Sequence, residues 1–224
     1  MTNAHAILGS LFLFFASACA GGASPTAIDT PGPAVISFEQ DAIGSVPKGF
    51  TVAETNGEGA LARWHVTDGL DPHDPGHIVT VETANTGSTF NLLLSDAVYP
   101  ADLTVSVYIY PRRGEEDQGG GLVWRARDAA NYYVARWNPL EDNVRLYTVV
   151  DGKRALLESA DVMARPGVWH QLTATMQGEA ITLLFDGKPC LTWRDTTFRE
   201  AGRIGLWTKA DATTLFDRIE VTAR

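Results

Sequence analysis

The stretch DLTVSVYIY, Asp102 to Tyr110, alternates without a break. Leu103, Val105, Val107 and Ile109 fall on one side, and Thr104, Ser106, Tyr108 and Tyr110 on the other. Period-two alternation marks a strand with one face on a core, because successive side chains of an extended chain point to opposite faces. Runs of the same kind recur near residues 35–39, 49–54, 61–67, 77–82, 89–95, 120–126, 132–138, 143–150, 154–160, 168–176, 180–185, 189–194, 202–208 and 213–221, bounded by Gly, Asp, Asn or Pro. No segment beyond Val35 carries a sustained helical period. Two Asp-Gly pairs, Asp151-Gly152 and Asp186-Gly187, each followed by Lys, give the two-residue hairpin signal. Many short strands at this spacing fold as an antiparallel sandwich or barrel. No break in composition follows residue 33, so one sandwich over 34–224 is expected.

The N-terminal part reads differently. The first 47 residues hold no Lys or Arg, and AILGSLFLFF (Ala6–Phe15) is an apolar run. It is shorter than the roughly 20 residues a bilayer requires and fits the apolar region of a secretory signal over residues 1–18. Ala16-Ser17-Ala18-Cys19 resembles a bacterial lipobox, in which Cys19 is lipidated and becomes the mature N-terminus. Ala16 stands where leucine is usual, and plain signal-peptidase cleavage after Ala18 or Ala20 is the competing reading. Residues 19–33, rich in Gly, Ala and Pro, read as a flexible tether. The expectation is export to the bacterial cell envelope, as an outer-membrane lipoprotein or in the periplasm, with secretion as the alternative and a lipid anchor as the membrane contact. Two cysteines, Cys19 and Cys190, give no disulfide framework, and Cys190 is expected as a buried strand residue. The net charge of −9 disfavours nucleic acid as a partner, since that affinity rests on cationic side chains neutralising phosphates.

The chemistry-bearing residues start with the hairpin YYVARWNPLEDNVRLY, Tyr132 to Tyr147. A turn at residues 139–142 sets Asn138 opposite Asn143 and Arg136 opposite Arg145. Like charges facing each other on a sheet are unfavourable, so an anion or a carboxylate must lie close. A four-residue loop at 128–131 would add Arg125 to the same face, with Tyr147 beside it. Arginine and asparagine forks beside an aromatic ring can grip sugar hydroxyls or a carboxylate. The structural alternative is specific: the Asp151-Gly152 turn, pairing Val150 with Lys153, would place Glu158 opposite Arg145. Trp137, Ala135, Val144 and Leu146 then form the core set. Among the six tryptophans, Trp207 in GLWTKAD, with Lys209 beside it, is the candidate for an exposed stacking surface; the others suit the core.

HVTDGLDPHDPGH gathers His65, Asp68, Asp71, His73, Asp74 and His77. Imidazole and carboxylate could hold a divalent metal or act as acid and base. The spacing matches no metal motif, and the prolines and glycines equally mark a surface loop. If the protein is an enzyme, His65, His73, His77 and Asp71 are the catalytic candidates.

The order GGGLVWRARDAANYYVARWNPLEDNVRLYTVVDGK, PGVWHQLTATMQGEAITLLFDGK and GRIGLWTKADATTLFDRIEV resembles the concanavalin A-like or laminin-G-like jelly rolls of bacterial exported proteins. It is most similar to the 3-keto-disaccharide hydrolase-like branch. The resemblance covers roughly residues 35–224. It implies two stacked antiparallel sheets, with a concave one able to hold a saccharide. It also implies a structural calcium site where the terminal strands meet, at Glu39, Asp41 and Asp217, oxygen ligands that suit this ion; the competing reading pairs Asp217 with Arg203, Arg218 or a backbone amide. Three functions follow: saccharide binding on the concave sheet, hydrolysis or elimination of a 3-keto-glycoside, or a laminin-G-like interaction or envelope structural role. Laminarinase-type jelly rolls carry Glu-x-Asp-x-x-Glu on one strand, and this sequence has no such strand. GEEDQGG, with Glu115, Glu116 and Asp117, reads as a loop. The absence of that strand argues against ordinary retaining glycosidase chemistry with its flanking carboxylate pair.

Overall fold

Alternating segments become strands because each can bury one face, and short Gly- and Asp-containing links let neighbours pair antiparallel. The computed structural model describes residues 1–2, 34–69 and 76–224. Among them are fifteen strands: β1 (Ala34–Ile36), β2 (Phe50–Thr55), β3 (Arg63–Gly69), β4 (Gly76–Glu82), β5 (Phe90–Ser95), β6 (Leu103–Arg113), β7 (Gly120–Asp128), β8 (Asn131–Asn138), β9 (Asn143–Val150), β10 (Lys153–Asp161), β11 (His170–Gln177), β12 (Ala180–Phe185), β13 (Lys188–Arg194), β14 (Arg203–Lys209) and β15 (Thr213–Ala223). One sheet runs β13-β12-β11-β6-β15-β4-β3, with β1 added beside β15; the other, seven-stranded, runs β10-β9-β8-β7-β14-β5-β2. All pairings are antiparallel. The expectations for the signal, the tether and Cys19, and for Asp71 and His73, lie outside the described residues.

The inner faces of the two sheets enclose the main core. Leu103, Val105, Val107 and Ile109 all point into it, against Trp64, Trp124, Trp137 and Phe216. Ala135, Val144 and Leu146 complete that set as the alternation required. Fully burying one such side chain contributes about 1.5–3 kcal/mol, so this layer is what keeps the sheets together. Both Asp-Gly turns form with positive φ at both residues, 48° and 76° at Asp151-Gly152 and 49° and 73° at Asp186-Gly187. That backbone matches the twist of the flanking strands, and Val150 pairs with Lys153 as expected. Cys190 is half-buried in β13 against the core.

Two bulges decide which polar side chains reach the outer face of the seven-stranded sheet. In β10 the register slips between Leu156 and Glu158, so that Ser159, not Glu158, faces Arg145. Leu157 and Ala160 both pack on the core, and residues three apart share a face only if the strand gains a residue between them. In β7 the pairing with β8 is interrupted between Trp124 and Asp128. Val123 therefore takes the place opposite Val134 that even pairing gives to Arg125.

Candidate functional site

The outer face of the seven-stranded sheet is a trough. Arg154 of β10 lies over the ring of Phe90 in β5 at 4.9 Å, although five strand intervals separate β10 from β5. In a flat sheet that is about 24 Å. The Asn56 side-chain amide, just beyond β2, donates to the Gly152 carbonyl at 2.8 Å, across the whole width of the sheet. Only a strongly coiled sheet, concave on this side, brings its two edges together.

Within the trough one row of paired positions runs Ala53, Leu92, Trp207, Gly121, Arg136 and Arg145. Gly121 separates the indole from the guanidinium and adds no side chain between them; a Cβ there would also collide with the Ala135 carbonyl oxygen. The floor is a second apolar cluster that includes Phe90, Leu92, Val123, Tyr132, Val134, Tyr147 and Trp207. Trp207 is fully buried. It belongs to the trough floor and is not the exposed platform expected from sequence. Arg154 covers it, stacking within 4.4 Å of Tyr147 and 5.8 Å of Trp207 as well as over Phe90.

The charged groups gather around this floor. Arg136, 1% exposed, donates through Nη1 to Asn143 Oδ1 at 2.6 Å and through Nη2 to Glu141 Oε2 at 2.9 Å and the Tyr147 hydroxyl at 3.3 Å. Arg136 does face Arg145, and Asn138 faces Asn143. The carboxylate that settles this like-charge pair is Glu141 in the turn: the same Oε2 lies 2.7 Å from Arg145 Nη1. Burial opposes the ionisation of Glu141, but the charges and hydrogen bonds of Arg136, Asn143 and Arg145 outweigh it and hold its carboxyl below the usual range. Asn138 Oδ1 accepts from the Leu140 amide and so shapes the turn.

Asp117 enters from the segment before β7. Asp211 places it by accepting the backbone N–H groups of Glu115, Glu116 and Asp117. The Asp117 carboxylate is 3% exposed and lies 3.9 Å from Lys209 Nζ. Burial raises its pKa to about 6 against the lowering effect of Arg136 and Lys209. Buried polar atoms here without a hydrogen-bond partner include Asp117 Oδ1, Arg136 Nε and Arg154 Nη1 of the charged groups and Trp207 Nε1 of the floor. Glu141 is exposed, and Arg145, Arg154 and Lys209 are half-buried, so they form the mouth.

Arg125, expected beside Arg136, sits elsewhere. Its guanidinium donates to the carbonyls of Ala101 (2.8 Å), Phe198 (2.6 Å) and Gly178 (2.9 Å) and to Asp102 Oδ1 (3.1 Å). It ties three loops together from a left-handed backbone, φ 47°. The two extra residues of the β7 bulge carry it out of the arginine row.

The described histidines do not converge. His65 pairs with Thr80 and His77 with Asp68, and an odd separation along β3 puts them on opposite faces of the eight-stranded sheet. His65 borders an outer groove of about 410 Å³ with Tyr110, Trp169, Glu82 and Arg112. His77 Nε2 is 3.9 Å from Asp68 Oδ1. Glu39 accepts from the His77 amide at 2.8 Å and Asp41 from the Lys48 amide at 2.9 Å. Asp217 is buried in β15 and accepts from the Arg218 amide. Among the described residues no three His, Cys, Asp or Glu side chains gather at a metal-binding spacing, so Glu39, Asp41 and Asp217 are not assembled into one ligand set.

Asp117, Glu141 and Arg154 are not among the binding candidates that the sequence offers. Arg154 was within reach of sequence reasoning, since the Asp151-Gly152 turn sets it opposite Val149, two residues from Tyr147 on the same face. Asp117 carried no such signal in its glycine-bounded loop.

Several solved structures share this architecture. The carbohydrate-binding module CBM66 from Bacillus subtilis aligns with a TM-score of 0.64 at 20% identity, over 78% of this chain and 96% of that one. Domain 4 of AbnA, a GH43 extracellular arabinanase from Geobacillus stearothermophilus, solved in complex with arabinotriose, gives 0.56 at 13% identity over 86% and 92%. The β-glucanase of Bacillus licheniformis gives 0.57 at 13% identity over 87% and 100%. No family model and no curated protein matches the chain. At these identities the likeness is one of fold: the chain is a two-sheet antiparallel jelly-roll sandwich of the kind seen in carbohydrate-binding modules and glucanases.

Proposed function

We propose that the protein is an exported saccharide-binding module whose ligand occupies the concave trough of the seven-stranded sheet. The observation that carries this reading is the meeting on one face of guanidinium groups with unbonded N–H donors, a carboxylate oxygen without a partner, and an aromatic floor. A concave, mostly apolar surface with a few convergent polar groups is the general form of a small-ligand site. Each buried polar atom left unmatched costs about 1–3 kcal/mol, a cost relieved when a ligand supplies the missing partner. Two of the similar structures are named for such binding, a carbohydrate-binding module and an arabinanase domain in complex with arabinotriose. Export rests on the apolar N-terminal run and the lipobox-like Ala16–Cys19. Palmitate labelling that survives Cys19→Ala would remove the lipid anchor from the account.

A glycan array followed by calorimetry tests the site. A saccharide that binds wild type and loses at least about tenfold in affinity with Arg136→Met, about 1.4 kcal/mol, supports it. Binding unchanged by that substitution, or an array silent throughout, overturns it and returns the fold to a laminin-G-like interaction role. Binding is also better supported than cleavage. The 3-keto-disaccharide hydrolase-like resemblance implies elimination beside a ketone, which needs a base next to the sugar; His65 and His77 lie on the other sheet, which leaves Asp117 as the trough group that could fill that role. Turnover of a 3-keto-glycoside, measured with and without chelator and abolished by Arg136→Met, would shift the reading to catalysis in the trough.

A further inference from the structure

The groups that line the trough are unequal in sign. Among the described residues, Arg136, Arg145, Arg154 and Lys209 meet there with the carboxylates of Asp117 and Glu141 facing them, and Asp161 is exposed at the β10 end of the next row. This cation-rich patch sits inside a protein of net charge −9. The unmatched atoms of the charged groups show the same imbalance, since two are arginine donors and one is a carboxylate acceptor. Glu141 is already engaged by both Arg136 and Arg145, which leaves it little capacity for Arg154.

The aromatic floor adds a second argument. Neutral sugars commonly bind by laying an apolar ring face on an indole or phenol. Here the faces of Phe90, Tyr147 and Trp207 are already covered by the Arg154 guanidinium. A ligand entering from the mouth meets the edge of that guanidinium, the Lys209 ammonium and Arg145 before it meets a ring. Guanidinium forks match carboxylates and sulfates in shape, and desolvation strengthens the pairing.

We propose that the trough selects saccharides bearing an anionic group, the carboxylate of a uronic acid or a sulfate ester, over neutral ones, with Arg154 and Arg136 as the principal donors. The proposal rests on the reading of the trough as a saccharide site. It also fixes a sign for the pH dependence. The charged groups around Asp117 are Arg136 from β8, Lys209 from β14, Arg154 from β10 and Glu141 from the β8–β9 turn. Protonating Asp117 as pH falls through about 6 removes a negative charge beside the anion. Affinity for an anionic sugar therefore rises on acidification, until the ligand's own carboxylate protonates. A neutral sugar that used Asp117 as its acceptor would behave in the opposite way.

The test is calorimetry of the full chain with four probes at about pH 5 and about pH 8: an oligogalacturonate, its methyl ester, a sulfated galactan oligosaccharide and neutral galactotriose. The expected result is binding of the uronate or the sulfated probe at least about tenfold tighter than the neutral sugar and the ester, tightening toward pH 5 and weakening with salt. Preference between the uronate and the sulfated probe identifies which group supplies the charge. Asp117→Asn should bind at pH 8 as wild type does at pH 5, with the pH response gone. The methyl ester makes the comparison within the wild-type protein, so the test survives a variant that fails to fold. Equal binding of neutral and anionic probes, or tightening toward alkaline pH, overturns the anionic preference and leaves saccharide binding standing. Silence from all four, together with a silent glycan array, removes both.

Discussion

Arg125 and Arg136 are both nearly sealed from solvent, at 2% and 1% exposure, and they serve opposite ends. Each nitrogen of the Arg125 guanidinium finds an acceptor, three of them backbone carbonyls from separate loops. Arg136 is held by Asn143, Glu141 and Tyr147 through its two terminal nitrogens, yet its Nε is unmatched, and Arg154 beside it also keeps an unmatched nitrogen. A buried arginine with every guanidinium nitrogen bonded acts as a structural staple. One held rigid with a donor left over keeps that donor available to a further acceptor. Satisfaction of donors, rather than burial, separates the two roles.

The contrast breaks most visibly through stability. Arg125→Met should lose about 3–5 kcal/mol, because it strands the carbonyls of Ala101, Phe198 and Gly178 that the buried guanidinium satisfies. Urea denaturation measures this, and a loss below about 1 kcal/mol would mean the staple is dispensable. The folded fraction should bind the trough ligand with unchanged affinity.

Asp117→Asn acts in the other direction. The buried carboxyl is raised from 3.8 to about 6, so between those values the folded chain binds more protons than the unfolded one. That contribution to stability is fully present below the unfolded pKa and is lost as pH rises through about 6. The loss is about 3 kcal/mol at 1.36 kcal/mol per pKa unit. The variant should therefore be more stable than wild type above about pH 7, by up to that amount, and should lack the slope between pH 4 and 6. Chemical denaturation across this range checks the sign, and a destabilised variant at neutral pH would show that the ionised Asp117 is a structural partner of Arg136.

How far the site could be read in advance depended on the bulges. The β8–β9 hairpin followed from its turn chemistry: residues 139–142 close it, and Arg136 meets Arg145 as the residue count requires. Strand positions and the inward set of β6 followed from alternation, which local sterics enforce. Arg125 and Glu158 were misplaced for one reason. Counting residues from a turn assumes even pairing, and the count fails at two extra residues in β7 and at one in β10. The bulge in β10 lets both Leu157 and Ala160 reach the core, a tertiary demand invisible to local counting. Concavity was equally hidden, because coiling of the sheet brings Arg154 to Phe90 across strands distant in sequence.

Arg154→Met probes the trough with less cost to the fold. The methionine stem can still cover the rings, and removing the cation relieves a buried unmatched donor while losing contacts worth about 2 kcal/mol at most. The net change in stability should lie within about 1 kcal/mol, against a loss of at least about tenfold in affinity for an anionic saccharide. A large stability loss with intact binding would make Arg154 a second staple.

The smallest effect is the sharpest on mechanism. Glu141 bridges Arg136 and Arg145 from a turn where its side chain is 38% exposed, so solvent screening limits its contribution. Glu141→Gln should cost about 1 kcal/mol, the like-charged pair being left with Asn143, Tyr147 and Ser159 as nearby neutral acceptors. Glu158→Gln should cost nothing measurable, because the bulge turns position 158 to face Leu146 rather than Arg145. A double-mutant cycle with Arg145→Met separates the two: coupling of about 0.5–1 kcal/mol is expected for Glu141 and none for Glu158. Coupling at Glu158 instead would mean that the strand pairs without its bulge, which would move Ser159 off the trough face and return the arginine row to the arrangement the sequence alone suggests.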